Sequence, residues 1–260
     1  MMERLYAYPK LARRGLGNML FTWAQAVGYC HKTGAQMLAP VWVRIARIGP
    51  WLRHEKYKRY YGGQMTNDGY VSGVKKMLIL FFKKTRVRIF TEMDGYFLPF
   101  IDSWDVVRDE LHRIVDKRII RDVEADAKEG EFIGVHVRRG DFVQAGWVTS
   151  DEWFVKAVKV ALAYDREGIH KYIRVFSDGY PEELSFLQRA FPNERIIVMP
   201  KAPAIQDILL MSRSRILVCS PASTFSMWAV FLGQMPSVWM KDRIVPQLYI
   251  ENDSAKKYWC

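Results

Sequence analysis

The chain has 260 residues and a mass of 30.4 kDa, and half its residues are hydrophobic, which makes it a globular protein with core enough for one large domain or two small ones. Lys and Arg outnumber Asp and Glu by 39 to 28, a formal net charge of +11, so the partners it favours are anionic: nucleic acid, phosphorylated metabolites or a membrane surface. The three cysteines, Cys30, Cys219 and Cys260, form no CxxC pair and no metal-ligand spacing, which argues against structural zinc and for reduced thiols in a cytoplasmic setting.

The first residues, "MMERLYAYPKLARRGLGN", lack the uninterrupted apolar core of a secretion signal, and no run reaches the length of a membrane-spanning helix. "RLYAYP" reads as a strand, "GNMLFTWAQAVGYCHKTG" as a helix stopping at Gly34, and "AQMLAP" as a second strand, together one βαβ unit. Residues 40 to 125 are basic, aromatic and turn-rich, and read as loops and short elements. Within them, "VKKMLILFFKKTRVRIF" (74–90) has an apolar centre flanked by Lys75, Lys76, Lys83, Lys84, Arg86 and Arg88. That pattern fits either a core element with solvated basic ends or a segment lying on a membrane surface. The charged stretch "RDVEADAKEGE" suggests a boundary, giving an N-terminal domain of 1–128 and a C-terminal domain of 129–260.

From residue 130 the pattern is regular. "EFIGVHV", "KYIRVFSD", "RIIVMP", "RILVCS" and "PSVWM" are short apolar runs separated by helical segments, the first of them "SDEWFVKAVKVALAYDREG" with Ser150 as N-cap. Continuous apolar strands alternating with amphipathic helices predict an α/β fold with a parallel, doubly wound sheet. Ligands of such sheets bind beyond the carboxyl ends of the strands, and those ends are loaded: "HVRRGD", "SDG", "PKAP" and "SPASTFS". An arginine fork and a helix N-terminus with the hydroxyls of Ser223, Thr224 and Ser226 make two phosphate cradles. Asp178 is placed for a ribose hydroxyl or a base N–H. A nucleoside diphosphate satisfies all of these. Gly15 and Gly17, in "RRGLGN", permit close approach of a ligand at another helix start, although without GxGxxG spacing a plain tight turn explains them better. The five histidines form no ligand-spaced pair, and GxSxG, HExxH, GxxxxGK[ST] and DxD are all absent.

The segments "GLGNMLFTWAQAVGYCHKTGAQMLAP", "DGYFLPF", "HVRRGDF", "FSD" and "DILLMSRSRILVCSPASTFSMWAVFLG" resemble, in order and spacing, the α-1,2-fucosyltransferases of glycosyltransferase family eleven, and HxRRxD is shared with the wider fucosyltransferase group. The resemblance implies a GT-B-like fold of two facing Rossmann-type domains with parallel sheets, the N-terminal one on the acceptor side. It implies GDP-fucose as donor, a glycan or lipid-linked oligosaccharide acceptor, inversion at the anomeric carbon, and no metal or other cofactor. By the same resemblance Arg138 binds the β-phosphate and is the catalytic cation, His136 and Asp178 lie near the guanosine, and Ser223, Thr224 and Phe225 form the phosphate-side loop. Gly15, Gly17 and Asn18 belong to the donor-binding set, and Asp141 closes the motif and orients the arginines. Arg14 and Met19 depart from the family pattern and leave open a different donor, such as another GDP-sugar, or a different acceptor, and Gly179 departs from it beside the expected nucleobase contacts.

On the residues alone, one arginine of the pair is expected to bind ligand and the other, Arg139, to be structural. Asp141, Glu92 and Asp94 are candidates for the acceptor's base. Rival readings are a sugar-nucleotide binder without turnover and a basic nucleic-acid-binding protein. The expected setting is surface-polysaccharide synthesis at the inner face of a membrane, with contact through 74–90 and no nucleic acid.

Overall fold

The computed structural model describes residues 4–12, 14–42, 61–93, 95–140, 146, 148–165, 168–241 and 257–260, with backbone alone at 257–259. The chain divides into two compact units, residues 1–120 with 203–205, and residues 121–202 with 206–260.

In the first unit, strand β1 (Tyr6–Pro9) leads into helix α1 (Leu16–Thr33), which ends on left-handed Gly34, whose N–H is bonded to the Cys30 carbonyl. Strand β2 (Gln36–Met37) returns beside β1. Helix α2 (Gly73–Phe82) is followed by a 3₁₀ turn at Lys84–Arg86 and strand β3 (Val87–Phe90). The sheet is parallel, ordered β2-β1-β3. The basic segment 74–90, open in sequence between a core element and a surface one, is therefore a helix and an edge strand. A 3₁₀ stretch (Leu98–Ser103) and helix α3 (Trp104–Ile114) close the unit against α1, where Phe21, Phe97 and Phe100 meet edge to face. Helix α4 (Lys117–Ala127) takes in most of the charged stretch, and the division between the units falls inside it.

The second unit alternates strand and helix as far as β8: β4 (Phe132–Val137), α5 (Asp151–Tyr164), β5 (Tyr172–Ser177), a 3₁₀ turn with α6 (Ser185–Ala190), β6 (Ile196–Val198), α7 (Ala204–Met211), β7 (Ile216–Val218), α8 (Thr224–Gly233) and β8 (Ser237–Trp239), with β9 (Lys257–Trp259) as the last described strand. All six strands are parallel in the order β6-β5-β4-β7-β8-β9. In this unit's own numbering that is 3-2-1-4-5-6, the doubly wound order whose switch point, between its first and fourth strands, is the place for a ligand. Here the switch point lies between β4 and β7.

Every residue of β4 is buried, as a central parallel strand requires. One face, Ile133, Val135 and Val137, packs on Phe154, Ala157, Val158 and Ala161 of α5. On the other, Gly134 leaves no room for a side chain, since a Cβ there would lie 2.3 Å from Ser214 Oγ. Helix α5 begins as its sequence predicts, with Ser150 Oγ accepting the N–H of Trp153 and acids in the first turn.

Candidate active site

Strand β4 ends at Val137 and delivers the next three residues to the switch point. Arg138 and Arg139 then take opposite paths. The Arg139 guanidinium turns inward and is buried, donating to the Thr149 carbonyl at 2.7 Å and to the Asp151 carboxylate, with the Phe154 and Phe186 rings each 5.7 Å away. Its donors are spent on holding the loop to the start of α5. Arg138 keeps its side chain one-fifth exposed, in ion-pair contact with Asp178 (Nε to Oδ2, 3.4 Å) and 5.7 Å from the centre of the Phe225 ring. Its own N–H donates to Ser220 Oγ at 3.2 Å, which ties the end of β4 to the loop after β7.

Asp178, just past β5, does the complementary job. Its Oδ1 accepts the N–H groups of Arg139 at 2.7 Å and Gly140 at 3.1 Å, while Oδ2 faces Arg138. Gly140 is required there, because a Cβ would come within 2.5 Å of that oxygen. Both oxygens of Asp178 face the turn that presents Arg138, and the carboxylate is still 39% exposed at the strand end.

His136 is buried on β4, its Nδ1 2.7 Å from Ser226 Oγ, and Ser226 Oγ also accepts the N–H of Ser220 at 3.1 Å. Burial, followed by the positive charge of Arg138, presses the His136 pKa down to about 3. The imidazole is neutral, and its Nδ1 shares one hydrogen bond with the Ser226 hydroxyl. Its ring stacks at 22° with Phe225, 6.3 Å between centroids. Ser226 therefore faces the core and does not join the hydroxyl cradle expected from "STFS".

Helix α8 starts after a turn in which Ala222 has φ +56° and the Ser223 N–H bonds the Ser220 carbonyl. Ser223 is the N-cap residue, yet its side chain makes no cap bond. Its hydroxyl is buried without a partner, in contrast to Ser150, which caps α5. The first-turn N–H groups of α8, at Thr224 and Phe225 among others, have no intrahelical acceptors. An orphan hydroxyl, free helical N–H groups and a guanidinium thus collect around one switch point, the makings of an anion site.

Sequence inspection passed over one carboxylate of this unit. Asp207 sits in the first turn of α7, in the crossover from β6 to β7 that has to span the carboxyl ends of the sheet. Burial pushes its pKa up to about 8. In sequence it looks like an ordinary acid at a helix start, so its enclosure could not be read there.

In the first unit, Gly15 is the N-cap of α1 with ordinary negative φ, and a Cβ there would meet nothing within 4 Å. Space rather than strain is what it supplies. The Leu16 N–H donates to the Tyr61 hydroxyl at 2.9 Å; Gly17 is buried and Asn18 half-buried on the first turn. Glu92 pairs with Arg14 at 3.4 Å and borders a groove of about 440 Å³ that Gln25, Tyr29, Arg88 and Phe90 also line. Asp94 and Asp141 lie outside the described residues. Among the described residues no three His, Cys, Asp or Glu side chains group as metal ligands, and no helix is long and apolar enough to cross a membrane.

Glycosyl transferase family 11 matches residues 81–259. The chain belongs to that family. The transferase also has the fold of solved fucosyltransferases at low identity. It is 16% identical to NodZ α-1,6-fucosyltransferase crystallised with GDP, covering 88% of this chain and 92% of that one, TM-score 0.56; a further NodZ structure is from Bradyrhizobium. It is 12% identical to POFUT1 in complex with GDP, over 91% and 97% of the two chains, TM-score 0.59. Arabidopsis thaliana FUT1 with GDP matches over 94% and 72%, at 15% identity and TM-score 0.50. No curated protein matches the transferase. Its α/β fold with parallel sheets is of the GT-B type.

Proposed function

We propose that the transferase moves fucose from GDP-fucose to a glycan hydroxyl, with galactose O2 as the acceptor atom and inversion at the anomeric carbon. The observation that carries this reading is the convergence of Arg138, Ser223 Oγ and the N-terminus of α8 on the β4/β7 switch point. As the bond from the anomeric carbon to GDP breaks, negative charge grows on the β-phosphate. A fixed guanidinium and helical N–H groups stabilise that charge more in the transition state than in the ground state, so they lower the barrier without any metal being required. Asp178 and Phe225 act through Arg138 by fixing its direction, and neutral His136 stiffens the loop after β7 through Ser226. The acceptor oxygen attacks the opposite face of the sugar and loses its proton to a carboxylate, for which Asp141 and Glu92 are the residues to test.

For the nucleobase we assign Asp207. Guanine offers two parallel donors, N1–H and the N2 amine, and a partly enclosed carboxylate is the acceptor that matches them. The groove beside Tyr29, Phe90 and Glu92 supplies an aromatic and polar surface suited to an acceptor sugar. The linkage rests on the resemblance to α-1,2-fucosyltransferases, since NodZ is an α-1,6 enzyme.

The test is a mass-spectrometric screen of GDP-fucose, GDP-mannose and UDP-galactose against β-galactoside glycans. The expected result is transfer from GDP-fucose, or slow release of free fucose where the acceptor is wrong, together with thermal stabilisation by GDP. Turnover of another GDP-sugar in preference would replace the donor. No turnover and no stabilisation by GDP would overturn the reading.

A further inference from the structure

Helix α2 presents its apolar side outward. Val74, Met77, Leu78, Phe81 and Phe82 follow the i, i+3, i+4, i+7, i+8 spacing of an apolar stripe, which a helix of a globular protein normally buries. Their exposures are 72%, 69%, 51%, 78% and 72%. At 3.6 residues per turn the stripe covers an arc of about 140°. The inward side is narrower: Ile79 is buried with Tyr6 and Leu38, Leu80 is partly buried against the same cluster, and Lys76 donates to the Ala39 carbonyl at 2.6 Å with its ammonium 4.4 Å from the Tyr8 ring centre. The helix is thus anchored by its inner row, and the outer row is exposed.

The charge around this stripe has one sign. Residues 69 to 91 contain six Lys or Arg and no Asp or Glu. Lys75 flanks the stripe, Lys83 and Lys84 follow its last phenylalanine, and Arg88 stands on β3 next to exposed Ile89. A second copy of the chain seated on the stripe would oppose the same cations across a two-fold axis, an arrangement that repels. An anionic sheet attracts them, and the Phe81–Phe82 pair, edge to face at 4.8 Å, is the amphipathic-helix feature that enters the boundary between headgroups and acyl chains.

We propose that α2 docks the transferase on anionic lipid bilayers, with the Val74–Phe82 stripe inserted at the interface and Lys75, Lys83 and Lys84 on the lipid phosphates. The helix lies in the plane of the membrane and does not span it. The proposal is independent of which sugar is transferred, and its test does not use transfer.

The full chain is sedimented with phosphatidylcholine vesicles, with and without phosphatidylglycerol, at low and high salt. Binding is expected to the anionic vesicles alone and to weaken with salt. Each cation at the surface contributes about fivefold in affinity, so reversing two of them with Lys83→Glu and Lys84→Glu should cost on the order of 25-fold or more. Phe81→Ser with Phe82→Ser should abolish binding while leaving the melting temperature and GDP-induced stabilisation as in the parent, because both rings are in solvent; Phe81→Ser alone serves if the pair expresses poorly. Absence of binding to anionic vesicles at low salt would overturn the proposal. So would phenylalanine variants that bind as the parent does, or a dimer in sedimentation velocity that those variants dissolve, which would give the stripe to a second copy.

Discussion

Arg138 and Arg139 are neighbours in sequence, and replacing each by alanine should have nearly opposite consequences. Arg139→Ala removes a buried guanidinium that donates to the Thr149 carbonyl and the Asp151 carboxylate between two aromatic rings. Asp151 is half exposed and stays solvated, so the loss is chiefly an unpaired buried carbonyl, about 1–3 kcal/mol, the ring contacts at about 0.5–1 kcal/mol each, and the packing of the stem. A total of about 3–5 kcal/mol lowers the melting temperature by roughly 10 °C for a chain of this size. Arg138→Ala removes a partly exposed pair at 3.4 Å, about 1 kcal/mol at most, and should leave the melting temperature within roughly 3 °C. Losing the cation at the leaving phosphate should instead cost about 3–4 kcal/mol in the transition state, a fall of about 10²–10³ in kcat. Thermal melts and GDP-fucose hydrolysis on both variants decide the matter. Arg138→Ala with activity within tenfold of the parent, or with a melting point as low as that of Arg139→Ala, would refute the division of labour.

Two predictions concern protons. His136 has a depressed pKa, so the unfolded chain binds its proton first: its contribution is intact above about pH 6.5 and is lost as pH falls toward about 3. Burial of His170 opposes its charge, but bonds to Glu194 and Asp165 outweigh that and raise its pKa, so its contribution is full below about pH 6.5 and is lost as pH rises through the folded value. Urea melts across pH should show a flatter acid limb for His136→Gln and a flatter limb above neutrality for His170→Gln; the same profile in all three proteins would contradict both assignments. Asp207, with a pKa near 8, is largely protonated at neutral pH, and guanine donors should drive the proton off. GDP affinity should therefore rise from about pH 6 to pH 8, and calorimetry in buffers of different ionisation enthalpy should report proton release that Asp207→Asn abolishes; binding without proton release would remove Asp207 from the base site.

The second unit was legible because central parallel strands carry no alternation. An unbroken apolar run such as "FIGVHV" meets charge abruptly at Arg138, and the transition marks both the strand end and the ligand edge. Edge strands give no such mark. The side chains of β3, "VRIF", are exposed or half-buried along its length, and β9 is three residues long, so neither stood out from loop. Stretch 121–131 read as a boundary because charge dominates it, and the division does fall beside it, yet most of the stretch is helix. The outward stripe of α2 was illegible in a different way, since the apolar spacing that makes a core helix makes a surface one too, and only the fold says which side packs. Asp207 was missed for lack of a local signal, whereas its enclosure is tertiary.

Ser150 and Ser223 sharpen the argument about the site. Both occupy the N-cap of a helix in the same unit, and sequence reads both as caps. Ser150 closes its bond to Trp153 N–H; Ser223 is more deeply buried and makes none. A buried hydroxyl without a partner costs about 1–3 kcal/mol, and forgoing the cap bond costs about 1 kcal/mol more. The surrounding groups are satisfied: Ser226 by His136 and Ser220, Asp178 by Arg139 and Gly140, Arg139 by Thr149 and Asp151. Arg174 Nε and Nη1 in this unit are also buried without a partner, but Ser223 is the one that stands at a helix N-terminus beside the switch point. An anion on the N-terminus of α8 would accept from the Ser223 hydroxyl and the first-turn N–H groups, so GDP should stabilise the parent more than it stabilises Ser223→Ala.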